Sequence, residues 1–497
     1  MVRRLIIAHD LGTSGDKASL HDASGRLIAA HTERYPVDFG AGGKAEQDPE
    51  AWWEAFCAAN RALLREAGVE ASDVACVAMS GQMMGLVLVD EHDQALRPAI
   101  IWADTRAQAE RDVLVERVGL ERAYDAMGHR IDATYSLPKA MWIREHEPEV
   151  WERTTGILLA KDYITLRLTG ARLTDPSDAS GTNAWDQREQ SWSAEMLAAA
   201  EIDVDLLPEV LASSAIAGGV TADAATATTL AAGTPVVVGG GDGACAALGA
   251  GSVSRASGAN ATLGSSSWIQ VSSDEPLRDP LMRFMAFDHV IPGLVAATGT
   301  MQAGGASLDW VAEVLGITST AELDALVASA GDVEAAAEGL YFLPYLLGER
   351  SPIWDSSVRG MFLGISRHHG RAHMARAVLE GVAFNMATIL FALREVAGDI
   401  DVVDAIGGGA RSRTWLRIMA DTWGVTIRRR SLTDEANSLG AAVVGGIGVG
   451  LIHSWDVADG LSHVTETIEP VDSAHRSALE QHERFADAYL RIGPWYR

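Results

Sequence analysis

The sequence predicts an α/β protein of two related halves about a cleft, on three observations. The first ninety residues run strand, strand, helix, strand; a strand–turn–strand unit near the N-terminus is echoed about 250 residues later; and turns rich in glycine follow strands at residues 12–15, 239–243 and 407–409. Residues 5–8 are apolar and β-prone, 12–15 form a turn, and 17–20 return, which makes a hairpin. Residues 51–67 place Trp52, Ala55, Phe56, Ala59 and Leu63 at helical spacing behind Asp48-Pro49, an N-cap and first-turn proline. Residues 74–79 and 86–89 return to strand character. The echo pairs residues 8–14 with 260–266, each a strand running into small turn residues, so the halves are expected to divide within 239–251, as 1–247 and 248–497. A strand over 402–406, a glycine turn and a helix over 414–423 follow, and the tail 454–497 reads as a helical cap with Leu479, His482, Phe485, Ala486 and Leu490 on one face.

Composition narrows the function. Forty Lys and Arg against 67 Asp and Glu give a net charge of −27, a field that disfavours a nucleic-acid binder or an adhesive of anionic membrane. Three cysteines, Cys57, Cys76 and Cys245, form no CxxC pair and no disulfide framework, which fits a cytoplasmic setting. After Arg3 and Arg4 only four apolar residues precede His9 and Asp10, a strand rather than a signal peptide. The longest weakly polar run, 439–452, is too short to span a bilayer.

Three turns could carry chemistry. Asp10-Leu11-Gly12-Thr13-Ser14-Gly15-Asp16-Lys17 supplies the backbone N–H groups, hydroxyls and cation that a phosphate chain needs, and Asp10 could hold Mg²⁺ through water. An ordinary hairpin with a surface lysine has the same composition, and no GxxxxGK[ST] is present. Asp242 lies among glycines 239–241 and 243, where a ligand can approach a carboxylate closely; a general base and a turn-stabilising aspartate both fit. The strand, Gly407-Gly408-Gly409 and the following helix have a nucleotide-binding shape that many αβ connections share.

These turns occur in order with longer stretches: Gly360-Met361-Phe362-Leu363-Gly364-Ile365, His373-Met374-Ala375-Arg376-Ala377-Val378-Leu379-Glu380, and Ser136-Leu137-Pro138-Lys139-Ala140-Met141-Trp142-Ile143-Arg144-Glu145-His146. Together they resemble the FGGY carbohydrate kinases. Within that family Ser80-Gly81-Gln82-Met83, Leu158-Leu159-Ala160-Lys161-Asp162-Tyr163, Ser177-Asp178-Ala179-Ser180-Gly181-Thr182 and Leu343-Pro344-Tyr345-Leu346-Leu347-Gly348-Glu349-Arg350-Ser351-Pro352 look most like the xylulose kinase type. The resemblance runs from residue 5 to about 450 and implies two actin-like, ribonuclease H-like domains flanking a catalytic cleft, the first on the sugar side and the second on the nucleotide side. It implies ATP and Mg²⁺ as cofactors, a sugar as partner, D-xylulose as substrate and, for any assembly, a homodimer. Position by position, Asp10, Gly12, Thr13, Ser14 and Lys17 match the first phosphate motif, Gly264 and Ser265 the second, and Gly305, Gly408 and Gly409 the nucleotide contacts. Asp242 matches the catalytic base and Met83 and Met84 the sugar pocket.

Departures open the substrate to ribulose, gluconate or a polyol such as erythritol. Met84 stands where histidine is usual and Gly243 where asparagine is, so two polar groups are lost and a changed or relaxed preference follows. Residues 101–106 look closer to gluconate-type members, with Asp104 either a ligand for sugar hydroxyls or the partner of Arg106. A nucleotide-driven switch of the actin superfamily is the alternative to a kinase, although no segment for partner binding stands out. His369 and His373, four apart, lack an HExxH context for a metal; Arg428-Arg429-Arg430 reads as a solvated strand end, and Cys245 as a small packing residue near the cleft.

Overall fold

The computed structural model describes residues 4–329, 335–431 and 435–496; Arg3 and Arg497 lie outside them. Strands β1 (Leu5–Leu11) and β2 (Gly15–His21) form the expected hairpin, extended by β3 (Leu27–Arg34). Helix α1 (Pro49–Ala67) starts at the predicted cap, where the Asp48 side chain accepts the Glu50 N–H, and it lays Trp52, Phe56 and Leu63 into the core. Strand β4 (Val74–Gly81) runs parallel to β1. After α2 (Ser136–His146), strands β5 (Ile216–Gly219), β6 (Pro235–Val237) and β7 (Gly240–Gly241) complete a sheet ordered β5-β6-β4-β1-β2-β3, with β7 on the end of β4. Helix α3 (Asp242–Gly249) leaves directly from β7.

The second lobe repeats the plan. Strands β8 (Ala259–Leu263) and β9 (Ser267–Ser273) are the echoed hairpin, followed by β10 (Met285–Asp288), β11 (Val295–Met301) and helix α4 (Gly305–Leu315). Helix α5 (Arg371–Ala397), β12 (Val402–Ile406), α6 (Arg413–Trp423) and β13 (Thr426–Arg430) come next. The sheet order is β10-β11-β9-β8-β12-β13-β14, where β14 is Val464–Ile468. In both lobes an antiparallel set, β1-β2-β3 in one and β8-β9-β11-β10 in the other, passes through its first strand to parallel strands, β4 and β6 in one and β12 and β13 in the other.

Three expectations are corrected. The tail is not helical throughout: β14 is an edge strand on β13, and only α8 (Asp472–Ile492) is the amphipathic cap, burying Gln481 and Phe485. Arg428–Arg430 is not a solvated end, because Arg428 Nε lies 2.7 Å from Asp404 Oδ1 and buried Arg430 also donates to Asp404, on the neighbouring strand. The most membrane-like helix is α5 rather than 439–452; it is long and apolar enough to cross a bilayer, but 83% of its apolar window is buried in the second lobe.

Helix α7 (Ala436–Gly448) belongs to the second half in sequence yet packs on the first sheet, with Leu439 and Val443 in one cluster with Ile6, Ala8, Cys76 and Ala78. It crosses α3 through two glycines: a Cβ on Gly440 would stand 2.0 Å from the Cys245 carbonyl, and one on Gly249 would stand 1.9 Å from that of Ala436. Cys57, Cys76 and Cys245 are all buried free thiols.

Candidate active site

The parallel strands β1, β4 and β7 end side by side, and the crevice beyond the carboxyl ends of such strands is where open α/β sheets take ligands. Asp10 closes β1; its Oδ1 accepts from Ser80 Oγ at 3.1 Å and from Asn437 Nδ2 of α7 at 3.3 Å. Asp242 opens α3, and its Oδ1 accepts the Gly243 N–H at 2.8 Å. Burial, then the nearby Asp10 charge, push the Asp242 carboxyl up to about 7, against the Gly243 N–H and the Arg350 cation. Asp10 is raised too, by burial first, with Lys17 opposing. The backbone before Asp242 is pinned from behind: Gly241 N–H donates to Ser177 Oγ (2.9 Å), which donates to Asp175 Oδ2 (2.5 Å). Asp175 in turn faces the fully buried Lys161, whose Nζ lies 2.6 Å from Asp162, 3.2 Å from Asp175 and 3.3 Å from Asp178.

A pocket between the lobes is lined on one wall by Thr13, Met83, Met84, Trp102 and Asp242, and on the other by Trp268, Gln270, Phe287, Thr298 and Arg350. Trp102 Nε1 donates to Thr13 Oγ1 at 2.9 Å, tying the first turn to the pocket. Met84 takes a left-handed conformation (φ 63°) held by Lys139 of α2. Lys139 Nζ donates to the carbonyls of Met84, Ile101 and Thr134 at 2.8, 2.9 and 2.5 Å. Burial pushes the Lys139 pKa down to about 7, whereas three carbonyl acceptors use all three protons of an ammonium and favour the charged form.

Of the residues singled out in the sequence, Thr13, Met83, Met84 and Asp242 share this pocket, and Asp104 does not. Asp104 is fully buried, accepts the Ala45 N–H at 2.6 Å and is bound by Arg106 Nε and Nη2 at 3.0 and 2.6 Å, so it is the ion-pair partner rather than a sugar ligand. Gly12, Thr13 and Ser14 form the first turn, and Lys17 stands opposite Asp10 in the β1–β2 register. Gly264 and Ser265 form the matching turn of the second lobe, docked on α4 by Gly305 N–H to the Gly264 carbonyl (2.7 Å) and Ala306 N–H to that of Ser265 (3.0 Å). Gly408 faces open space, but a Cβ on Gly409 would stand 2.4 Å from the Trp415 ring, so Gly409 is required by packing. Arg350, Trp268, Gln270 and Asp288 were given no role by the sequence reading, although Arg350 lies in a stretch it quoted.

The histidines near α5 do gather: Glu338, His368 and His369 bring ligand atoms within 4.8 Å. Yet Nδ1 of His369 accepts the Ser366 N–H and Nδ1 of His373 the Gly370 N–H, so both neutral rings carry their proton on Nε2. With His368 and His373 Nε2 at 3.3 and 3.5 Å from Glu338, this is a clamp on a carboxylate.

Residues 5–249 match the FGGY family of carbohydrate kinases, N-terminal domain, and residues 259–449 its C-terminal domain. The chain belongs to the FGGY carbohydrate kinases. Among its relatives, xylulose kinase of Escherichia coli is 36% identical over 438 residues, 88% of this chain and 89% of that protein. Gluconokinase of Bacillus subtilis is 28% identical over 94% of this chain and 91% of that protein. The crystal structure of xylulose kinase from Rhodospirillum rubrum superposes with a TM-score of 0.88 at 31% identity, covering 99% of this chain and 100% of that one. The two lobes are thus the actin-like, ribonuclease H-like domains of an FGGY kinase, and the switch reading gives way to a sugar kinase that uses ATP.

Proposed function

We propose that this FGGY kinase transfers the γ-phosphoryl group of ATP to the terminal hydroxyl of an open-chain ketopentose, with D-xylulose giving D-xylulose 5-phosphate as the leading case. The observation that carries this reading is the Asp242 carboxylate, half-buried in the pocket between the lobes with its pKa near neutrality, where a general base for a hydroxyl is most effective. Asp242 takes the hydroxyl proton as the oxygen bonds to the γ-phosphorus, and the bond to the β-phosphate oxygen breaks to release ADP. The turns at Gly12–Ser14 and Gly264–Ser265, with Lys17 and Gly408, would hold the phosphates through N–H groups, hydroxyls and a cation, while Gly305, whose N–H is taken by the Gly264 carbonyl, would act by docking the second turn on α4.

Asp10 is the residue suited to Mg²⁺. Its second carboxylate oxygen has no hydrogen-bond partner among the described residues, and its charge bears on Asp242. A bound Mg²⁺ would neutralise charge on the phosphate chain there. The xylulose kinases among the relatives support the sugar. Met84 and Gly243, which lack the usual polar groups, together with the gluconokinase relative, support an aldonate as the second reading.

A panel of pentuloses, hexuloses, aldonates and polyols in a coupled ADP-release assay tests the substrate. Asp242→Ala should lower turnover at least about a hundredfold, the scale of a lost general base, while ATP still binds; near-normal turnover would refute the role.

A further inference from the structure

The outer edge of β10 is finished by the other lobe. β10 is an edge strand of the second sheet, paired on one side with β11, and two of its N–H groups leave that lobe altogether: Ala286 N–H donates to the Gly128 carbonyl at 2.8 Å and Asp288 N–H to Ser180 Oγ at 3.1 Å. An open strand edge needs cover, and here a carbonyl and a hydroxyl of the first lobe supply it. The Ser180 hydroxyl is used twice. It accepts from Asp288 and donates to the Ser177 carbonyl at 2.8 Å, along the short helix Pro176–Ala179. Ser177 repeats the pattern, since its own hydroxyl accepts the Gly241 N–H and donates to Asp175, the N-cap of that helix. Gly241 ends β7, and Asp242 follows it. A continuous relay therefore runs from β10 through Ser180 and Ser177 to β7, starting in one lobe and stopping at the peptide before the base in the other.

Ser177, Ser180 and Asp175 are fully buried, so a broken link leaves a dry polar group rather than a solvated one. Both ends of the relay are fixed. At one, Asp175 Oδ2 also accepts from Ser213 Oγ at 2.7 Å, and Oδ1 lies 3.2 Å from buried Lys161. At the other, the Asp288 carboxylate is held across the lobes by Trp185 Nε1 at 2.8 Å and Gln190 Nε2 at 3.0 Å, and Phe287 and Asp288 line the pocket, so the seat of β10 is also a wall of the site. A neighbouring hydroxyl gives the contrast. Thr182, also buried, donates to the Ala179 carbonyl at 2.6 Å and accepts the Ala184 N–H at 3.1 Å, so both of its bonds stay within its own loop.

We propose that Ser180 and Ser177 are positioning residues for the reaction: they relay the seating of β10 on the first lobe to the backbone that carries Asp242, so the base is aligned when the two lobes are engaged. The inference rests on the kinase reading above and adds a control to it. A kinase that accepts a small hydroxyl must not turn water on ATP, and a base whose alignment depends on the second lobe is out of line while the cleft stands open.

Single-turnover phosphoryl transfer and steady-state kinetics on the full chain test the relay, with ATP and D-xylulose or whichever member of the panel the wild type uses best. Ser180→Ala removes only the hydroxyl; it should slow the transfer step at least about tenfold, as a misplaced catalytic group does, with KM for ATP within about twofold of the wild type. Thr182→Val, which removes a buried hydroxyl outside the relay, should cost a similar loss of Tm and leave the transfer step within about twofold. Ser177→Ala should match or exceed Ser180→Ala, and the double variant should fall within about threefold of Ser177→Ala alone, because the two hydroxyls act in series. An equal effect of Ser180→Ala and Thr182→Val on the transfer step, or losses that multiply in the double variant, overturns the inference. Should Ser180→Ala not fold, Ser180→Cys, whose thiol is a weak donor and acceptor, replaces it under the same criteria. A wild type that phosphorylates nothing in the panel brings down the kinase reading and the relay with it, whereas an active wild type with an unslowed Ser180→Ala brings down the relay alone.

Discussion

At Asp242 the same burial that prepares a base also makes its charge expensive. Only the carboxylate accepts a proton, so kcat/KM should rise with pH through about 7 and then level off, as a pH–rate profile would report. Asp10→Asn removes a negative neighbour and should move that rise to lower pH. The stability effect has the opposite sign. A carboxyl raised to about 7 in the native state, from about 3.9 unfolded, binds a proton that the unfolded chain lacks across that window, so its contribution to stability falls as pH rises from about 4 to 7. Asp242→Asn should therefore raise Tm by a few degrees at pH 8 and leave it unchanged near pH 4; a lower Tm at pH 8 would show that the charge is compensated in the fold. Thr13 and Asp242 were legible in the sequence because each sits in a glycine-rich turn, whereas Met83 and Met84 were placed in the pocket only by the resemblance to the kinase family. Arg350 was not legible, since knowing whether a charge is paired or unpaired requires groups brought in from distant strands and loops; for Asp104 the pair with Arg106 was one of two readings that the sequence left open.

Helix α2 contributes to the site through one ammonium. Lys139→Met would leave the Met84, Ile101 and Thr134 carbonyls without their donor, at about 1–3 kcal/mol each, and would release Met84 from its left-handed backbone. The expected result is a Tm lower by several degrees and a sugar KM raised at least tenfold with little change in ATP KM, measured by thermal melting and two-substrate kinetics. The α3–α7 crossing is equally exacting: Gly440→Ala drives a methyl against the Cys245 carbonyl and should lower Tm or abolish soluble expression. The elements readable from the sequence were those with a local mark, α1 by its cap and apolar spacing and the hairpins by their turns. Strand β14 was missed because Val464, Thr465, Glu466 and Thr467 on an edge keep much of their surface in water, so no apolar alternation marks them.

Across the molecule, duplication was legible because both hairpins retain their turn residues, whereas the exchange of α7 was not. A helix buried nearly all round carries no mark of which sheet it covers. Residues 1–252 alone would expose Ile6, Ala8, Cys76 and Ala78 and should aggregate or bind a hydrophobic dye, with solubility recovered on co-expression with 253–497; a monodisperse isolated fragment in size-exclusion chromatography would contradict this. The same arrangement bears on birth at the ribosome. The first sheet is translated early, but the helix that seals it emerges roughly 200 residues later, a delay on the order of ten to forty seconds at about 5–20 residues per second. Throughout that interval the nascent lobe must keep an oily face from its neighbours, so slowing translation between the two halves should increase its demand for chaperones.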